Sequence, residues 1–374
     1  MPDEVPAGFP DGFGQGPGET DALLLLRCLL GPTPRALHAL IWGTGSASRA
    51  LARIRARGAG SDNDRAFLAN ADVGVIRRRL DRVGARFAAP GDPDYCPAFL
   101  RLADPPIGVF ARGGALGHGD DRVAVVGSRR PTATGTEVAV DLGRGLAVAG
   151  VVTVSGGAVG IDAAAHRGAL DAGGSTVAVL GSGIDVAHPA RNRGLFERIE
   201  ASGTLISEYP PGAPAEPFRF PARNRLIAAL SRGVVVVEGA AKSGTRITAE
   251  HAVDLGLDVF ALPGPVTSPL AETPLGLIRD GATMIRGTAD LLEDLGLEGR
   301  VFEGGVPRGL SADEHRVLAM LATSMLPTAV ARATGLPVAD TLTVLIGLEL
   351  RGFIRGVGGR FERTFAAART QPTG

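Results

Sequence analysis

The sequence is short of cysteine, of lysine and of net charge. Only two of its 374 residues are cysteines, Cys28 and Cys96, which is too few for a disulfide framework or a cysteine-based zinc site, so a reducing compartment is expected. Lysine and arginine total 39, as do aspartate and glutamate, so no overall field attracts a polyanion. Lys242 is the single lysine of the chain.

The chain also lacks a targeting signal and a membrane span. Residues 1–19 are acidic and rich in glycine and proline, the reverse of a signal peptide, and are predicted to form a disordered leader. The apolar run at 23–30 is far shorter than the roughly 20 residues that cross a bilayer. We therefore expect a cytoplasmic protein without a membrane segment.

Two predicted domains flank the central part of the sequence. Residues 20–87 repeat apolar residues at spacings of three and four, which predicts a small helical domain of the SAM or helix-hairpin type. Residues 307–366 begin with Ser311 and Glu314, spaced as in a capping box, and continue as helix, turn, helix and a hairpin with a Gly-Gly tip. This second pattern predicts a winged-helix-like domain, which could read DNA or bind a protein.

Between these domains, residues 88–299 alternate short β-branched runs with helical patterns. The runs are hydrophobic throughout rather than at every second position, which indicates strands buried on both faces. Such strands belong to a mostly parallel sheet with helices on each side, so the predicted fold class is α/β, a doubly wound Rossmann-like domain. The six predicted strands are 123–126, 151–155, 176–180, 204–208, 234–238 and 258–263.

Three of these strands end in glycine-rich turns, at the sheet edge where a doubly wound fold binds its ligands. The turn at 127–131 combines a glycine, a hydroxyl and Arg129 before a helix, the turn at 155–162 has three glycines, and the turn at 239–245 contains Lys242. Exposed backbone amides, a helix N-terminus and a compact ammonium group all favour phosphate. We therefore predict an anion site at each of the three turns.

The segment after the fourth strand combines aromatic rings with arginines. It reads Phe-Arg-Phe-Pro-Ala-Arg-Asn-Arg over 218–225 and precedes a helix. An exposed ring offers a stacking surface, guanidinium groups bind phosphate through paired donors, and an amide can contact a base edge. One of the two rings, Phe218 or Phe220, is expected to lie in the core. A core position for a ring does not explain why arginines accompany it.

No motif for catalysis, a metal or a cofactor stands out. The sequence has no P-loop, no HExxH or CxxC, and no dinucleotide-binding GxGxxG. Asp162 is predicted to cap the helix that follows the second strand rather than to act as a catalytic acid, and His166 to be a hydrogen-bonded structural residue. Several phosphate-sized sites without a catalytic pair indicate a protein that holds a polymer.

Seven segments occur in a characteristic order between about 123 and 292: VAVVGSR, SGGAVGIDAAAH, TVAVLGSGIDVAHP, LISEYP, FPARNR, VVVVEGAAKSGTRITAEHA and VFALPG. Together they closely resemble the DNA-processing protein A family (DprA, or Smf). The resemblance implies a Rossmann-like fold that binds single-stranded DNA as a homodimer and loads RecA onto incoming DNA during natural transformation, without established catalysis. The flanking domains match the family layout more loosely.

The resemblance also implies which residues hold DNA. In that family the pocket is built from the GSR, SGGA, FPxRNR and KSG loops, which in this chain give Ser128, Arg129, Gly156, Gly157, Phe220, Arg223, Asn224, Arg225, Lys242, Ser243 and Gly244. The chain departs from the family at His188, where tyrosine is usual. It also departs at 272–275, which lacks the usual Gly-Asn near the surface expected for dimerisation.

A nucleotide-cleaving enzyme on the same type of sheet is the alternative. It would be similar to the lysine-decarboxylase-like phosphoribohydrolases, which release the base from nucleoside monophosphates and use a PGGxGTxxE helix start. This chain offers only Lys-Ser-Gly-Thr at 242–245, with Glu250 five residues further on. We therefore predict that the protein is not an enzyme.

If Arg223 and Lys242 each neutralise one phosphate, replacing either with alanine should weaken the salt dependence of binding. On single strands, the slope of log affinity against log salt concentration should flatten by about 0.7 in Arg223→Ala and in Lys242→Ala. The change should be the same for all DNA sequences because phosphates carry no sequence information. Fluorescence anisotropy of labelled oligonucleotides measures it, and an unchanged affinity and slope in both variants would contradict the assignment.

Overall fold

The computed structural model describes residues 9, 13, 18–116, 121–241, 243–297, 311–321, 324–350 and 353–363. The chain separates into two compact units, Met1–Gly299 and Arg300–Gly374. The predicted disordered leader lies almost entirely outside the described residues. No single helix among them is long and apolar enough to cross a bilayer; α-helical segments in the smaller unit reach the length only as a sharply bent pair.

In the described residues of the larger unit, five helices precede the sheet and share an apolar core. Leu23, Leu26 and Ile54 are fully buried in that core. The carboxylate of Glu19 accepts the backbone N–H groups of residues 47 and 48 at 2.9 and 3.1 Å, so a side chain of the protein satisfies these amides. The helices are α1 (Glu19–Arg27), α2 (Pro34–Thr44), α3 (Ala47–Arg55), α4 (Asp62–Asn70) and α5 (Val73–Arg82).

In the described part of the larger unit, nine strands form one sheet. They are β1 (Arg86–Ala88), β2 (Val109–Gly113), β3 (Arg122–Val126), β4 (Val152–Ser155), β5 (Thr176–Leu180), β6 (Thr204–Ser207), β7 (Gly233–Val236), β8 (Asp258–Ala261) and β9 (Thr283–Met284). Their order is β1-β2-β6-β5-β4-β3-β7-β8-β9. Only the pairs β1–β2 and β2–β6 are antiparallel. The predicted Rossmann-like, mostly parallel sheet is confirmed.

Helices cover both faces of the sheet, which explains the continuous hydrophobicity of its strands. Val123 and Val125 of β3 pack in one buried cluster, whereas Ala124 and Val126 pack in another on the opposite face. The first cluster contains residues of α6 (Ala133–Val148), α7 (Ile161–Asp171) and α12 (Thr288–Asp294), and the second contains residues of α9 (Arg219–Ala229), α10 (Gly244–Asp254) and α11 (Glu272–Arg279). Helix α8 (Arg193–Ser202) packs near β5 and β6.

The smaller unit has the predicted helix-turn-helix and hairpin. Its elements are α13 (Ala312–Met320), α14 (Pro327–Thr334), α15 (Val338–Leu350), β10 (Ile354–Val357) and β11 (Arg360–Arg363). Ser311 accepts the N–H of Glu314 while the Glu314 carboxylate accepts the N–H of Ser311, which confirms the capping box. Gly358 and Gly359 both adopt positive φ angles at the hairpin tip, as the two-residue turn requires.

Two glycines let α6 and α7 touch along their backbones. A Cβ atom at Gly143 would overlap the carbonyl oxygen of Ala165, and one at Gly168 would overlap that of Val140. Overpacking costs about 1–3 kcal/mol, more than the roughly 1 kcal/mol that replacing a helical glycine gains. Because the overlapped atoms belong to the backbone, Gly143→Ala and Gly168→Ala should each lower the free energy of unfolding, by up to about 2 kcal/mol.

Urea denaturation checks this prediction, and Gly276→Ala is the matched control. Gly276 lies within α11, and a Cβ atom there has no neighbour within 4 Å, so only the propensity gain applies. The control should raise the free energy of unfolding by up to about 1 kcal/mol. Equal effects of the same sign at all three positions would rule out close backbone contact as the cause.

Candidate functional site

A cavity of about 450 Å³ opens where the carboxyl ends of β3 and β7 lie side by side. From β3 the chain continues to β4 on one side, and from β7 it continues to β8 on the other side. Such a point, where the connections leave in opposite directions, is the usual ligand position in an open α/β sheet. The turn after β3, the start of α9 and the start of α10 form its walls. The lining residues are Val126, Gly127, Ser128, Arg129, Ala158, Asp162, Phe220, Pro221, Arg223, Asn224, Ile227, Ala240, Ser243, Gly244, Thr245 and Thr248.

The structure brings most of the predicted site residues to this cavity. Gly156 and Gly157 lie in the turn after β4, behind the lining, and Arg225 faces away from the cavity. Lys242 lies outside the described residues. The predicted residues that line the cavity are Ser128, Arg129, Phe220, Arg223, Asn224, Ser243 and Gly244. That these residues contact DNA stays a prediction.

Arg129 and Phe220 form the mouth of the cavity. Arg129 is exposed, and within the described residues its guanidinium makes no hydrogen bond or ion pair. Its Cζ lies over the Phe220 ring, 5.4 Å from the centroid, at cation–π distance. Phe220 is half-buried and Phe218 is 61% exposed, so the expectation that one of the two rings lies in the core is wrong. A free cation thus lies on an accessible aromatic ring.

Arg223 lies beneath the mouth, buried within the loops. The residue is 5% exposed; its Nη1 donates to the carbonyl oxygen of Gly156 at 2.6 Å and to that of Val179, and its Nε donates to Oδ1 of Asn224 at 3.0 Å. Burial lowers the pKa of the guanidinium to about 10, and the nearby Asp162 carboxylate opposes this shift. A Cβ atom at position 156 would overlap the guanidinium, so packing alone explains that glycine.

Asn224 connects α9 to α10. Its Oδ1 accepts the Arg223 Nε–H, and its Nδ2 donates to the carbonyl oxygen of Gly244 at 3.2 Å. The amide was predicted to contact a base edge, but in this structure both of its ends bind protein groups. Asn224 therefore positions the start of α10, whose N-cap Ser243 makes no capping hydrogen bond and faces the cavity.

Arg225 belongs to a buried ion pair on the other side of α9. It donates to both oxygens of Glu208, at 2.6 and 2.9 Å, and to Oδ1 of Asp104 at 3.1 Å. The Glu208 side chain is fully buried. Such a fork between two planar groups is a strong pairing, and its loss leaves an uncompensated charge in the interior. Arg225 thus stabilises the interior of the domain and does not line the cavity.

Carboxylates of the chain occupy the three turns that were predicted to bind anions. Glu238 accepts the N–H and the hydroxyl of Thr132 at the start of α6, and Glu272 accepts the N–H of Ala241 at 3.2 Å. Asp162 accepts the N–H groups of Gly156 and Ala158, at 3.2 and 3.3 Å. These partners are distant in sequence or follow no capping pattern, although Glu238 lies two residues after the end of β7.

The two polar residues at the start of α7 have structural roles, but not both as predicted. The N-cap of α7 is Gly160, so the expectation that Asp162 caps this helix is wrong; Asp162 stabilises the preceding turn instead. Burial raises the pKa of Asp162, against the effect of Arg223 and the amides. His166 bonds through Nδ1 to the hydroxyl of Thr176 at 2.7 Å, and burial lowers its pKa to about 3, which confirms a structural histidine.

Comparison with known proteins identifies relatives of both units. Residues 86–296 match the family model of DNA recombination-mediator protein A, and residues 305–360 match the DprA winged helix domain. Protein Smf of Escherichia coli K12 is 37% identical over 296 residues, which cover 76% of this chain and 79% of that protein. In the described residues, no cluster of three or more His, Cys, Asp or Glu side chains could hold a metal ion.

Two solved structures share the fold. DNA processing protein A from Streptococcus pneumoniae superposes with a TM-score of 0.61 at 33% identity, over 73% of this chain and 96% of that chain. DNA processing protein A from Helicobacter pylori, whose structure concerns its single-stranded DNA binding mode, gives a TM-score of 0.51 at 30% identity, over 56% and 95%.

The burial of Arg223 predicts a large effect on stability. Arg223→Ala removes the donor to two interior carbonyl oxygens and the cation beside Asp162. Leaving such groups unpaired should lower the free energy of unfolding by about 3 kcal/mol. Arg129→Ala is the control, because an exposed and unpaired guanidinium should change the value by less than about 0.5 kcal/mol. Urea denaturation separates the two, and similar stabilities would contradict the buried arrangement of Arg223.

Proposed function

The chain belongs to the DNA recombination-mediator protein A family, and from this membership and the geometry of the cavity we propose that it binds single-stranded DNA and loads RecA onto it during natural transformation. The observation that carries the proposal is the unpaired Arg129 guanidinium on the accessible Phe220 ring, at the mouth of a cavity flanked by the uncapped start of α10. These are a phosphate ligand, a stacking surface and a positive helix end in one place.

Binding exchanges one contact of Arg129 for another. In the free protein the guanidinium covers the Phe220 ring. A phosphate draws the guanidinium toward it by a charge-assisted hydrogen bond, and the uncovered ring then stacks on a base. Because the bases of a duplex are already stacked inside the helix, only a single strand offers both groups together. The arrangement therefore favours single-stranded over duplex DNA.

The proposal is of binding without catalysis, in the cytoplasm, by a homodimer. Among the described residues that line the cavity, the acidic side chain is Asp162, which accepts two backbone amides and interacts with the Arg223 charge. No observation favours the alternative, a phosphoribohydrolase acting on nucleoside monophosphates. Incubation with a nucleoside monophosphate should release no free base, and size-exclusion chromatography with light scattering should give about twice the mass of the 38.2 kDa chain.

The last helix of the smaller unit, α15, offers no positive charge for reading DNA. Helix α15 contains no lysine or arginine, and Val338, Leu342 and Ile346 are exposed at intervals of four residues. Duplex-reading helices rely on cationic contacts to phosphates. Of the two roles predicted for the winged-helix domain, we therefore place protein binding before DNA reading.

Arg129 should contribute one phosphate contact. Arg129→Ala should flatten the log–log salt dependence of oligothymidylate binding by about 0.7, because one fewer counterion is released. Arg198→Ala is the control for general charge. It removes an arginine of α8 that pairs with Asp171 at the end of α7, and it should leave the slope unchanged. Fluorescence anisotropy at several salt concentrations measures the slopes of both variants. Equal slopes would show that Arg129 does not contact a phosphate.

Phe220 should contribute affinity without salt dependence. Phe220→Leu keeps an apolar side chain but loses the aromatic face, and stacking is worth about 1–3 kcal/mol per base, so affinity should fall about fivefold or more. The slope should stay that of the unsubstituted protein because no charge changes. A variant that binds with full affinity would exclude base stacking at Phe220.

A further inference from the structure

The first turn of α6 is occupied by an anion that belongs to the protein. Oε2 of Glu238 accepts the backbone N–H of Thr132 at 2.9 Å, and Oε1 accepts the Thr132 hydroxyl at 2.6 Å. A Cβ atom at Gly135 would overlap this carboxylate, so the glycine leaves the space in which its oxygens lie. The position that the sequence predicts for a bound phosphate is thus filled by Glu238.

The position is accessible and adjoins the cavity. Thr132 is exposed, and the backbone of Glu238 packs against Gly127, which lines the cavity. Arg129 and Arg130 lie in the loop that precedes α6, are both exposed, and form no ion pair within the described residues. A hydroxyl, an amide and a helix N-terminus, with two exposed arginines in the preceding loop, therefore meet where an ion from solvent could bind if the carboxylate were absent.

At the other two turns, too, a carboxylate of the protein accepts the backbone amides that were predicted to bind a phosphate. Asp162 takes the amides of the turn after β4, and Glu272 takes an amide of the turn after β7. Of these three acids, Glu238 makes the shortest contacts, and it lies at the N-terminus of a helix of sixteen residues, α6. It is therefore the one whose removal most directly exposes a phosphate-sized position.

We propose that Glu238 is a specificity-determining residue that keeps free phosphate and nucleoside monophosphates out of the turn at the start of α6. The inference deepens the proposed binding of single-stranded DNA and rests on it for its biological meaning. A small phosphate ligand needs donors at a helix end to replace its hydration. Here the Thr132 N–H and hydroxyl already bind the Glu238 carboxylate, and the Gly135 N–H binds the Thr132 side chain. A polymer instead gains from several side-chain contacts at the mouth, and it does not need to enter the turn.

Isothermal titration calorimetry tests the proposal by measuring the dissociation constant for inorganic phosphate. Glu238→Ala removes the carboxylate from the start of α6, so its dissociation constant for phosphate should be about two- to thirtyfold lower than that of the unsubstituted protein, the effect expected when a competing charge leaves a helix N-terminus. Glu238→Gln removes the charge but still fills the space, so its gain should be smaller. Glu197→Ala removes an exposed carboxylate on α8 and should bind phosphate like the unsubstituted protein.

The two variants remain informative if alanine weakens the fold. Phosphate that binds the folded protein raises its melting temperature, so thermal melts with and without phosphate detect binding even in a weakened variant. Glu238→Gln also retains an acceptor for the Thr132 N–H. Phosphate affinities that are equal in all four proteins overturn the inference. Failure of the unsubstituted protein to bind oligothymidylate overturns the proposed function instead, and a gain of phosphate binding in Glu238→Ala would still show that Glu238 fills an anion site.

Discussion

A buried guanidinium holds the ligand side of the sheet together. Arg223 extends from α9 past the end of β5 to the turn after β4, where its donors meet the carbonyl oxygens of Val179 and Gly156. A charge in the interior is tolerated only when polar partners surround it, so the turn, the strand end and Asp162 are fixed relative to one another. Through Asn224 the same constraint reaches the start of α10. The shape of the cavity follows from this one contact set.

Internal and external charges consequently have different roles. Arg223 and Arg225 bind carbonyl oxygens and carboxylates inside the domain, so the phosphate contact expected of Arg223 falls to Arg129, which is unpaired at the surface. Acidic side chains likewise satisfy the amides of the turns. A chain with no net charge can therefore present a locally positive mouth without attracting polyanions over its whole surface. Side chains, rather than backbone amides, are left to hold phosphates.

Local patterns predicted much of the fold. The strand at 176–180 coincides with β5, because a β-branched run between turn residues has few alternatives, and Ser311 with Glu314 forms the capping box that its spacing indicates. Partnerships across the sequence could not be predicted in this way. Glu238 and Thr132 are 106 residues apart, and nothing local to either shows that they meet. Sequence patterns therefore predicted the position of the cavity, but not which of its amides and arginines are already bound to other groups of the protein.

A crystal structure of the protein with a short oligothymidylate would test the central claim most directly. We expect a phosphate oxygen within hydrogen-bonding distance of the Arg129 guanidinium, a base on the Phe220 ring, and the amides of Thr132, Gly156 and Ala241 still bound to their carboxylates. Phosphates on those amides, with Glu238 or Asp162 displaced, or DNA bound away from this cavity, would contradict the account.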